Sequence, residues 1–283
     1  MTPTFAEMRT VARDLVFPEC PRWHDGALWF SDQHDLRVAR LDPANGAVET
    51  VVEVPGHPSG LGWLPNGRLL VVSMHDRRVL RLEPGGLVEH ADLSAIATGH
   101  CNDMLVDEQG RAYVGDFGYD LYGRAPQAPG RLTLVTPDGA AWAVADDLAF
   151  PNGTVLTTDG RLVVNETLGQ RMTAFTVGAD GSLHDRQVFA EIPGQVPDGS
   201  AIDASGAIWI AAIGRGVVRV AEGGAVLEEY AVADGDAYAV ALGGPDGHTL
   251  FVCVAPTSFE AEAMRLRGGR IDAVEVATPA PGG

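Results

Sequence analysis

The clearest structural signal in the chain is the segment Val196-Pro-Asp-Gly-Ser-Ala-Ile-Asp-Ala-Ser-Gly-Ala-Ile-Trp-Ile-Ala211. It contains a polar pair, Asp198-Gly199, which we interpret as a turn signal, followed by an apolar run, a Ser205-Gly206 turn and a second apolar run. Two short apolar runs joined by a tight turn are typical of a β-hairpin. The stretch therefore predicts a hairpin with a carboxylate at the start of its first strand.

The same layout recurs along the whole chain. Its turn glycines are Gly26, Gly67, Gly110, Gly160, Gly206 and Gly247. Successive glycines are 41, 43, 50, 46 and 41 residues apart, and a third strand-like run usually follows each hairpin. A four-stranded unit repeated about every 40–50 residues is typical of a β-propeller blade. We therefore predict an all-β fold, a six-bladed β-propeller with four-stranded blades around a central channel, occupying residues 1–283 as a single domain.

Three segments outside the hairpins complete this prediction. Because radial packing of blades leaves only short sheet edges, we expect residues 8–17 to add a strand to the last blade and close the ring. Residues 258–267 form the one plausible short helix. Residues 117–130 contain Gly, Pro and Ala, and we expect them to form a loop over one face.

Composition narrows the class of protein. The chain is 46% hydrophobic, with 35 Gly and 18 Pro, which suits many strands joined by tight turns. A net charge of −18 repels phosphate backbones, so nucleic acid is not an expected partner. We find neither a signal-peptide pattern nor a run of about 18 apolar residues that could span a membrane. We therefore expect a cytoplasmic monomer or homodimer that acts on a small molecule and has no membrane partner.

Equivalent positions in the six units predict a polar ring in the channel. Counting back eight residues from each turn glycine, or seven in the first unit, reaches the start of each innermost strand. These positions are Glu19, Ser59, Asn102, Asn152, Asp198 and Ala239. Asn-Gly and Asp-Gly pairs also occur simply as turns, but blade symmetry brings the four amide and carboxylate side chains to one axis. Such oxygen ligands suit a divalent cation, most of all Ca²⁺, with Mn²⁺, Mg²⁺ or Zn²⁺ as alternatives.

A second ring lies six residues after each glycine, where the second strand of each unit ends. Its members are Asp32, Ser73, Asp116, Glu166, Ala212 and Cys253. Because the second strand runs antiparallel to the first, these residues return to the same face. Asp32, Asp116 and Glu166 are therefore candidates to orient the ligands, or else they are solvated strand ends.

Four short motifs carry a resemblance to a known family. They are Pro18-Glu19-Cys20-Pro21-Arg22-Trp23, Asn102-Asp103, Phe150-Pro151-Asn152-Gly153 and Pro197-Asp198-Gly199. In order and spacing they resemble the site motifs of the senescence marker protein/gluconolactonase/luciferin-regenerating-enzyme family. The resemblance covers the whole chain and implies a six-bladed propeller with one divalent metal in the central channel.

The resemblance also implies roles for individual residues. Glu19, Asn152 and Asp198 are the implied metal ligands; Asn102 and Asp103 are implied to contact the substrate, and Asn102 also to reach the ion. The family often carries Arg two residues before the Asn of its Asn-Asp pair, where this chain has His100. Cys20 stands where Gly or Ser is usual. The change to histidine affects the expected sugar-acid substrate more than the expected metal.

The predicted chemistry is hydrolysis of a lactone or related cyclic ester. A divalent ion with three protein ligands keeps open positions and can polarise a lactone carbonyl. Asp198 is the candidate general base for the attacking water. His100 is the other acid–base candidate and a candidate substrate contact, because its ordinary pKa lies near neutrality; a lone histidine is, however, often only a loop or core residue.

Two other functions remain open at this point. One is a lyase or isomerase on the same metal-binding propeller, in which the ion would stabilise an enolate. The other is a non-catalytic propeller that binds a small molecule. We expect the three thiols, those of Cys20, Cys101 and Cys253, to be buried and inert. We find no nucleophile elbow, Walker loop or dinucleotide fingerprint in the sequence.

Overall fold

Short apolar runs separated by tight turns form twenty-four β-strands in residues 8–282, the part of the chain that the computed structural model describes. The strands make six four-stranded antiparallel sheets, arranged in a ring as a six-bladed β-propeller. This confirms the predicted fold. The expectation that residues 1–7 carry no signal peptide falls outside the described residues.

The strands follow one another through the blades in chain order, except for the first. The chain begins with β1 (Arg9–Leu15). The first blade contains β2 (Pro18–His24), β3 (Ala27–Asp32), β4 (Arg37–Asp42) and β5 (Ala47–Glu53). The second contains β6 (Pro58–Trp63), β7 (Leu69–Ser73), β8 (Arg78–Glu83) and β9 (Gly86–Asp92). The third contains β10 (Cys101–Val106), β11 (Ala112–Asp116), β12 (Gly130–Val135) and β13 (Ala141–Leu148).

The remaining blades repeat this order, and the last is completed by the beginning of the chain. The fourth blade contains β14 (Pro151–Leu156), β15 (Arg161–Glu166), β16 (Arg171–Val177) and β17 (Leu183–Glu191). The fifth contains β18 (Pro197–Ile202), β19 (Ile208–Ala212), β20 (Gly216–Val220) and β21 (Val226–Tyr230). The sixth contains β22 (Asp236–Gly243), β23 (Thr249–Ala255), β24 (Gly269–Glu275) and β1.

The ring is closed by β1, as the sequence predicted for residues 8–17. This strand pairs antiparallel with β24, from Arg9 opposite Ala273 to Leu15 opposite Gly269. The hydroxyl of Thr10 donates a hydrogen bond to Asp272 Oδ1 at 2.7 Å. The last blade therefore combines strands from both ends of the described chain.

The core lies between neighbouring blades, because the middle strands are buried on both faces. Trp209 and Ile210 are adjacent on β19 and both fully buried. Trp209 packs in a cluster with Val252 of the sixth blade, and Ile210 packs in a cluster with Val163 of the fourth. Side chains alternate between the faces of a strand, so a continuous apolar run is what a strand between two blades requires.

The predicted helix and the predicted loop also form at the expected positions. The helix α1 (Glu260–Leu266) occupies residues within the predicted 258–267 segment. It lies beside a 3-10 turn at Gln33–Asp35, and Arg267 donates to the Asp35 carboxylate at 3.1 and 3.2 Å. Residues 117–129 form neither helix nor strand. Within residues 8–282, no helix is long and apolar enough to cross a membrane.

Candidate functional site

Four of the six ring positions predicted from the sequence meet in one cavity. Glu19, Asn102, Asn152 and Asp198 are each the second residue of an inner strand, and all four line a cavity of about 570 Å³. They contribute two carboxyl groups and two amides from four different blades. The two remaining ring positions, Ser59 and Ala239, are buried and do not line the cavity.

A β-bulge turns these side chains toward the channel. In all six blades the pairing register of the inner strand shifts directly after its first or second residue, for example between Pro197 and Ser200 of β18. A bulge locally disrupts the ladder and re-aims the side chains that it carries. The turn predicted at Asp198-Gly199 is therefore wrong, because the pair forms the bulge inside β18.

Glycine at the bulge is required by the close approach of neighbouring inner strands. A Cβ on Gly199 would lie 2.6 Å from the Cβ of Ala239 in the next blade. A Cβ on Gly153 would lie 2.5 Å from the backbone nitrogen of Ser200. The Asn-Gly and Asp-Gly pairs thus combine a polar side chain in the channel with a backbone position that has no room for a side chain.

Hydrogen bonds to the neighbouring blade orient the two amides. Asn102 Nδ2 donates to the carbonyl oxygen of Pro151 at 3.2 Å. Asn152 Nδ2 donates to Thr167 Oγ1 at 3.2 Å, and the Thr167 hydroxyl donates to the carbonyl oxygen of Pro197 at 2.8 Å. With their nitrogens used in this way, the two amides can present their oxygens to the cavity. Thr167 was not identified from the sequence, because nothing in the repeat singles it out.

Burial dominates the electrostatics of the two carboxyl groups. It raises the pKa of Glu19 to about 8, partly offset by the Cys20 backbone N–H, which donates to Glu19 Oε2 at 2.9 Å. Burial likewise raises the pKa of Asp198 well above its ordinary value, and the charge of Glu19 raises it further. Two buried acids close together resist ionisation unless a positive charge compensates them.

Asp103 forms an ion pair and does not line the cavity. Arg22 Nη2 donates to Asp103 Oδ1 at 2.6 Å and to the carbonyl oxygen of Met104 at 2.8 Å. The same Asp103 oxygen accepts the backbone N–H of Met104, and the side chain is only 3% exposed. Asp103 acts on the cavity through its charge, which raises the pKa of Glu19. Arg22 partly opposes that effect, a role that sequence reasoning did not assign.

His100 also lies outside the cavity lining and belongs to a row of stacked rings. Its ring centroid is 4.6 Å from that of His75, which stacks at 3.9 Å on His57. Burial lowers the pKa of His100, and burial with the neighbouring histidines lowers the pKa of His75 to about 4. His100 also contacts Tyr122, with centroids 5.5 Å apart, and Tyr122 does line the cavity.

The second ring does not orient the amides and carboxyls of the first. Asp32 accepts the backbone N–H groups of Val16 and Phe17, and also pairs with Arg37. Glu166 and Asp116 likewise bond to nearby backbone N–H groups, and none of the three bonds to a first-ring side chain in the described part of the chain. The expectation that they orient the ligands was wrong, because these side chains are occupied in holding the connections between blades.

A separate group of possible ligands lies near α1 and was not found from the sequence. Nitrogens of His34 and His57 and a carboxylate oxygen of Glu260 lie within 4.8 Å of one another. His34 Nε2 is 3.1 Å from the carbonyl oxygen of Ser258, while its Nδ1 and both ring nitrogens of His57 form no hydrogen bond among the described residues. These residues are distant in sequence, so only the fold brings them together.

The three cysteines carry no reactive thiol. Cys20, Cys101 and Cys253 are free and buried. Burial raises the thiol pKa of all three, to well above the ordinary value for Cys20 and Cys253. A protonated, buried thiol is a poor nucleophile, which agrees with the inert role expected from the sequence.

The fold and this cavity define a class: a six-bladed propeller whose inner strands bring carboxyl and amide oxygens to one end of the channel. Residues 17–256 match the family model described as the SMP-30/Gluconolactonase/LRE-like region. The chain belongs to this family, as its four motifs predicted.

Individual relatives agree with this assignment. The chain is 31% identical over 254 residues to pentonolactonase XacC of Haloferax volcanii, covering 87% of this chain and 84% of the relative. It is 28% identical to a 6-deoxy-6-sulfogluconolactonase of Pseudomonas putida, covering 90% and 88%. The crystal structure of a calcium-binding regucalcin from Agrobacterium tumefaciens matches with a TM-score of 0.82 at 22% identity, covering 98% and 95%.

Proposed function

We propose that this protein is a divalent-cation-dependent hydrolase of a lactone or related cyclic ester. The observation that carries the proposal is the convergence of Glu19, Asn102, Asn152 and Asp198 on one cavity. Two relatives that match most of the chain are named as lactonases, which supports the reaction class.

The residues of the cavity fit a hard cation. Glu19 and Asp198 are both buried; burial raises the pKa of each, and the charge of Glu19 raises the pKa of Asp198 further. A bound divalent cation would remove this repulsion and favour both carboxylates in their ionised form. Carboxylate and amide oxygens are the ligands that Ca²⁺ prefers, and they also accept Mn²⁺, Mg²⁺ or Zn²⁺. In this proposal Glu19, Asn152 and Asp198 hold the ion, and Asn102 can reach it.

When bound, the cation would polarise the lactone carbonyl and stabilise the charge that develops on its oxygen. Asp198 accepts a proton from the attacking water, whose oxygen bonds to the carbonyl carbon. The ring C–O bond then breaks, and the proton passes to the departing alkoxide, which gives a hydroxy acid. Asp198 lines the cavity, so its carboxylate is placed to take this proton.

The remaining predicted residues act around this centre. Asn102 lines the cavity and would contact the substrate directly. His100 contacts Tyr122 and Phe117, both of which line the cavity, so we assign it the support of the substrate wall. Asp103, through its charge and its pair with Arg22, would set the electrostatics of Glu19. Proton transfer by His100 would require its ring to turn into the cavity.

Metal binding and lactone hydrolysis test the proposal together. The protein is treated with EDTA, reloaded with each cation, and assayed on lactones and aryl esters while bound metal is measured by calorimetry. We expect EDTA to abolish hydrolysis, Ca²⁺ to restore it, and Asp198→Asn or Glu19→Gln to lose the ion. Asp25→Asn is the matched control, because Asp25 is an acid with an 87% exposed side chain on the first hairpin.

Two outcomes would overturn separate parts of the proposal. Metal binding without hydrolysis of any lactone or ester would exclude the hydrolase and favour the lyase, isomerase or binding function. Retention of metal by Asp198→Asn and its loss in His57→Ala would move the ion to the group formed by His34, His57 and Glu260. Imidazole nitrogens favour Zn²⁺ over Ca²⁺, so the metal preference separates the two locations as well.

A further inference from the structure

The cavity that holds the four polar ring residues has a largely carbon wall. Sixteen residues line it, and half of them are Phe, Tyr, Leu or Ile. Six of these eight have no polar atom in the side chain: Phe17, Phe117, Leu121, Phe150, Ile213 and Phe259. Sites that recognise a polyhydroxylated ligand need donors and acceptors for its hydroxyl groups. A wall of this composition favours apolar groups instead.

Several polar groups of the cavity already have partners within the protein. The amide nitrogens of Asn102 and Asn152 donate to Pro151 and Thr167, and the Thr167 hydroxyl donates to Pro197. Arg124 is the only cationic side chain among the lining residues. A buried hydroxyl that finds no partner weakens binding, and these engaged donors are not free to meet the hydroxyl groups of a sugar lactone.

The aromatic part of the wall is preformed. The rings of Phe117 and Phe150 stack with centroids 4.5 Å apart and planes at 14°. Phe150 adopts a left-handed backbone with φ of 64°, which is strained for an aromatic residue. Such strain persists where the surrounding structure holds the residue in place. The rings of Phe17 and Tyr238 make an edge contact, with centroids 4.8 Å apart. Two aromatic pairs are therefore already packed before a ligand binds.

The mouth of the cavity exposes large apolar side chains. Phe259, immediately before α1, is 72% exposed, the highest value among the large hydrophobic residues of the described chain. Tyr122 and Leu121, from the loop at residues 117–129, are 44% and 39% exposed. All three line the same cavity. A cluster of exposed apolar groups at a binding site is covered when an apolar ligand enters.

From these features we infer that the substrate is a lactone that carries an alkyl or aryl substituent, and not a polyhydroxylated sugar lactone. The inference rests on the proposed function: the lactone ring meets the polar ring residues, and the substituent lies along the aromatic wall. Hydrolysis proceeds as above, so the product is a hydroxy acid with the same apolar substituent. Phe259, Leu121 and Tyr122 are the residues that set this specificity.

Comparison of two lactone series tests the inference. Alkyl-substituted γ- and δ-lactones of increasing chain length are compared with aldonolactones, using wild-type protein loaded with Ca²⁺. We expect kcat/KM to rise about fourfold for each added methylene until the wall is filled. The aldonolactones should be more than tenfold poorer. Preference for aldonolactones would overturn this inference and leave the hydrolase intact, whereas no hydrolysis in either series would overturn the proposed function.

Variants at the mouth of the cavity show which side chains contact the substituent of the lactone. Phe259→Ser and Leu121→Ser should lower the ratio of kcat/KM for long over short alkyl lactones by about tenfold or more. Both side chains are exposed, so the variants should fold normally. Met264→Ser is the control, because Met264 is 46% exposed on α1 but does not line the cavity; it should keep the wild-type ratio.

Binding gives a readout that does not depend on turnover. A long-chain hydroxy acid is titrated into metal-free wild-type, Phe259→Ser and Met264→Ser protein by calorimetry. We expect Phe259→Ser to weaken binding about tenfold, and Met264→Ser to match the wild type. Equal binding by all three proteins, together with an unchanged chain-length ratio, would show that the mouth does not contact the substituent.

Discussion

At the residue scale, the electrostatics of the cavity depend on one ion pair. Arg22 is the only cation among the groups that act on Glu19, and it is held by Asp103 at 2.6 Å. Asp103 is almost completely buried, so its charge has little other compensation. The pair joins the inner strands of the first and third blades, which makes it structural as well as electrostatic.

Arg22→Leu should therefore destabilise the protein by roughly 3–5 kcal/mol, because it leaves a buried carboxylate unpaired. The measurement is urea unfolding at pH 7 with calcium removed. Arg40→Leu is the control, since the pair of Arg40 with Glu49 is exposed on both sides and should contribute about 1 kcal/mol or less. Equal losses in the two variants would contradict the role of the buried pair.

Residue-level geometry also explains a departure from the family motif. Cys20 has a left-handed backbone with φ of 47°, and its N–H donates to the carboxylate of Glu19. Glycine adopts this conformation without steric cost, which accounts for the glycine usual at this position. The conformation serves the backbone hydrogen bond to Glu19, and the thiol adds weaker contacts, 3.9 Å to Glu19 Oε2 and 3.5 Å to Ser59 Oγ.

At the element scale, His90 on β9 links the second blade to the third. Its Nε2 lies 3.1 Å from the carbonyl oxygen of Thr136, and Arg81 donates to its Nδ1 at 3.0 Å. This arrangement requires a neutral ring, with the proton on Nε2. Burial lowers the pKa of His90 below its ordinary value of 6.5, and the charge of Arg81 lowers it further.

Stability should therefore fall as the pH drops below about 6.5. Over that range the unfolded chain binds a proton at His90 that the folded chain does not bind. The stability that neutral His90 contributes is fully present above the pKa of His90 in the unfolded chain. It is lost as the pH falls toward the pKa of His90 in the folded chain. His90→Gln cannot titrate, so its unfolding free energy should decrease less between pH 7 and pH 5 than that of the wild type. Identical decreases would contradict the assignment.

The bulge of the inner strands provides a second test at this scale. Gly199→Ala would place a methyl group 2.6 Å from the Cβ of Ala239 and push the fifth and sixth blades apart. We expect a loss of roughly 1–3 kcal/mol in unfolding free energy and weaker calcium binding at the adjacent Asp198. Gly85→Ala is the control, because nothing lies within 4 Å of a Cβ there. Calcium affinity unchanged in Gly199→Ala would show that the bulge does not position Asp198.

At the scale of the whole molecule, the ring depends on the strand that closes it. Leu15 of β1 is 2% exposed and packs in a cluster with Phe30 of the first blade and Phe251 of the sixth. It therefore belongs to a cluster that spans both sides of the closure. Loss of this contact would weaken the junction of the two ends and expose the edge of β24.

Leu15→Ala should lower the unfolding free energy by about 2–5 kcal/mol, because it leaves a cavity in a packed cluster. Thermal unfolding measures the loss. Leu227→Ala, on the outer strand β21 where the side chain is 48% exposed, should change stability far less. A Leu15→Ala protein as stable as Leu227→Ala would show that closure does not depend on this packing.

The sequence alone predicts the number of blades, the closing strand and the four polar positions that meet in the channel. These features are periodic, and each depends on local chemistry: a tight turn, an apolar run and a polar residue at a constant distance from a glycine. Comparison of units inside one chain was enough to identify Glu19, Asn102, Asn152 and Asp198. The roles of these residues remain predictions until metal binding is measured.

The surroundings of those four residues are visible only in the folded chain. It placed Asp103 in an ion pair and His100 in a row of stacked rings, outside the cavity lining in both cases. It also showed that Asp198-Gly199 is a bulge and that the aromatic wall includes Phe259 from a distant segment. The physical reason is that these contacts join side chains from different blades, whose distances depend on how the sheets pack and not on any spacing within one repeat.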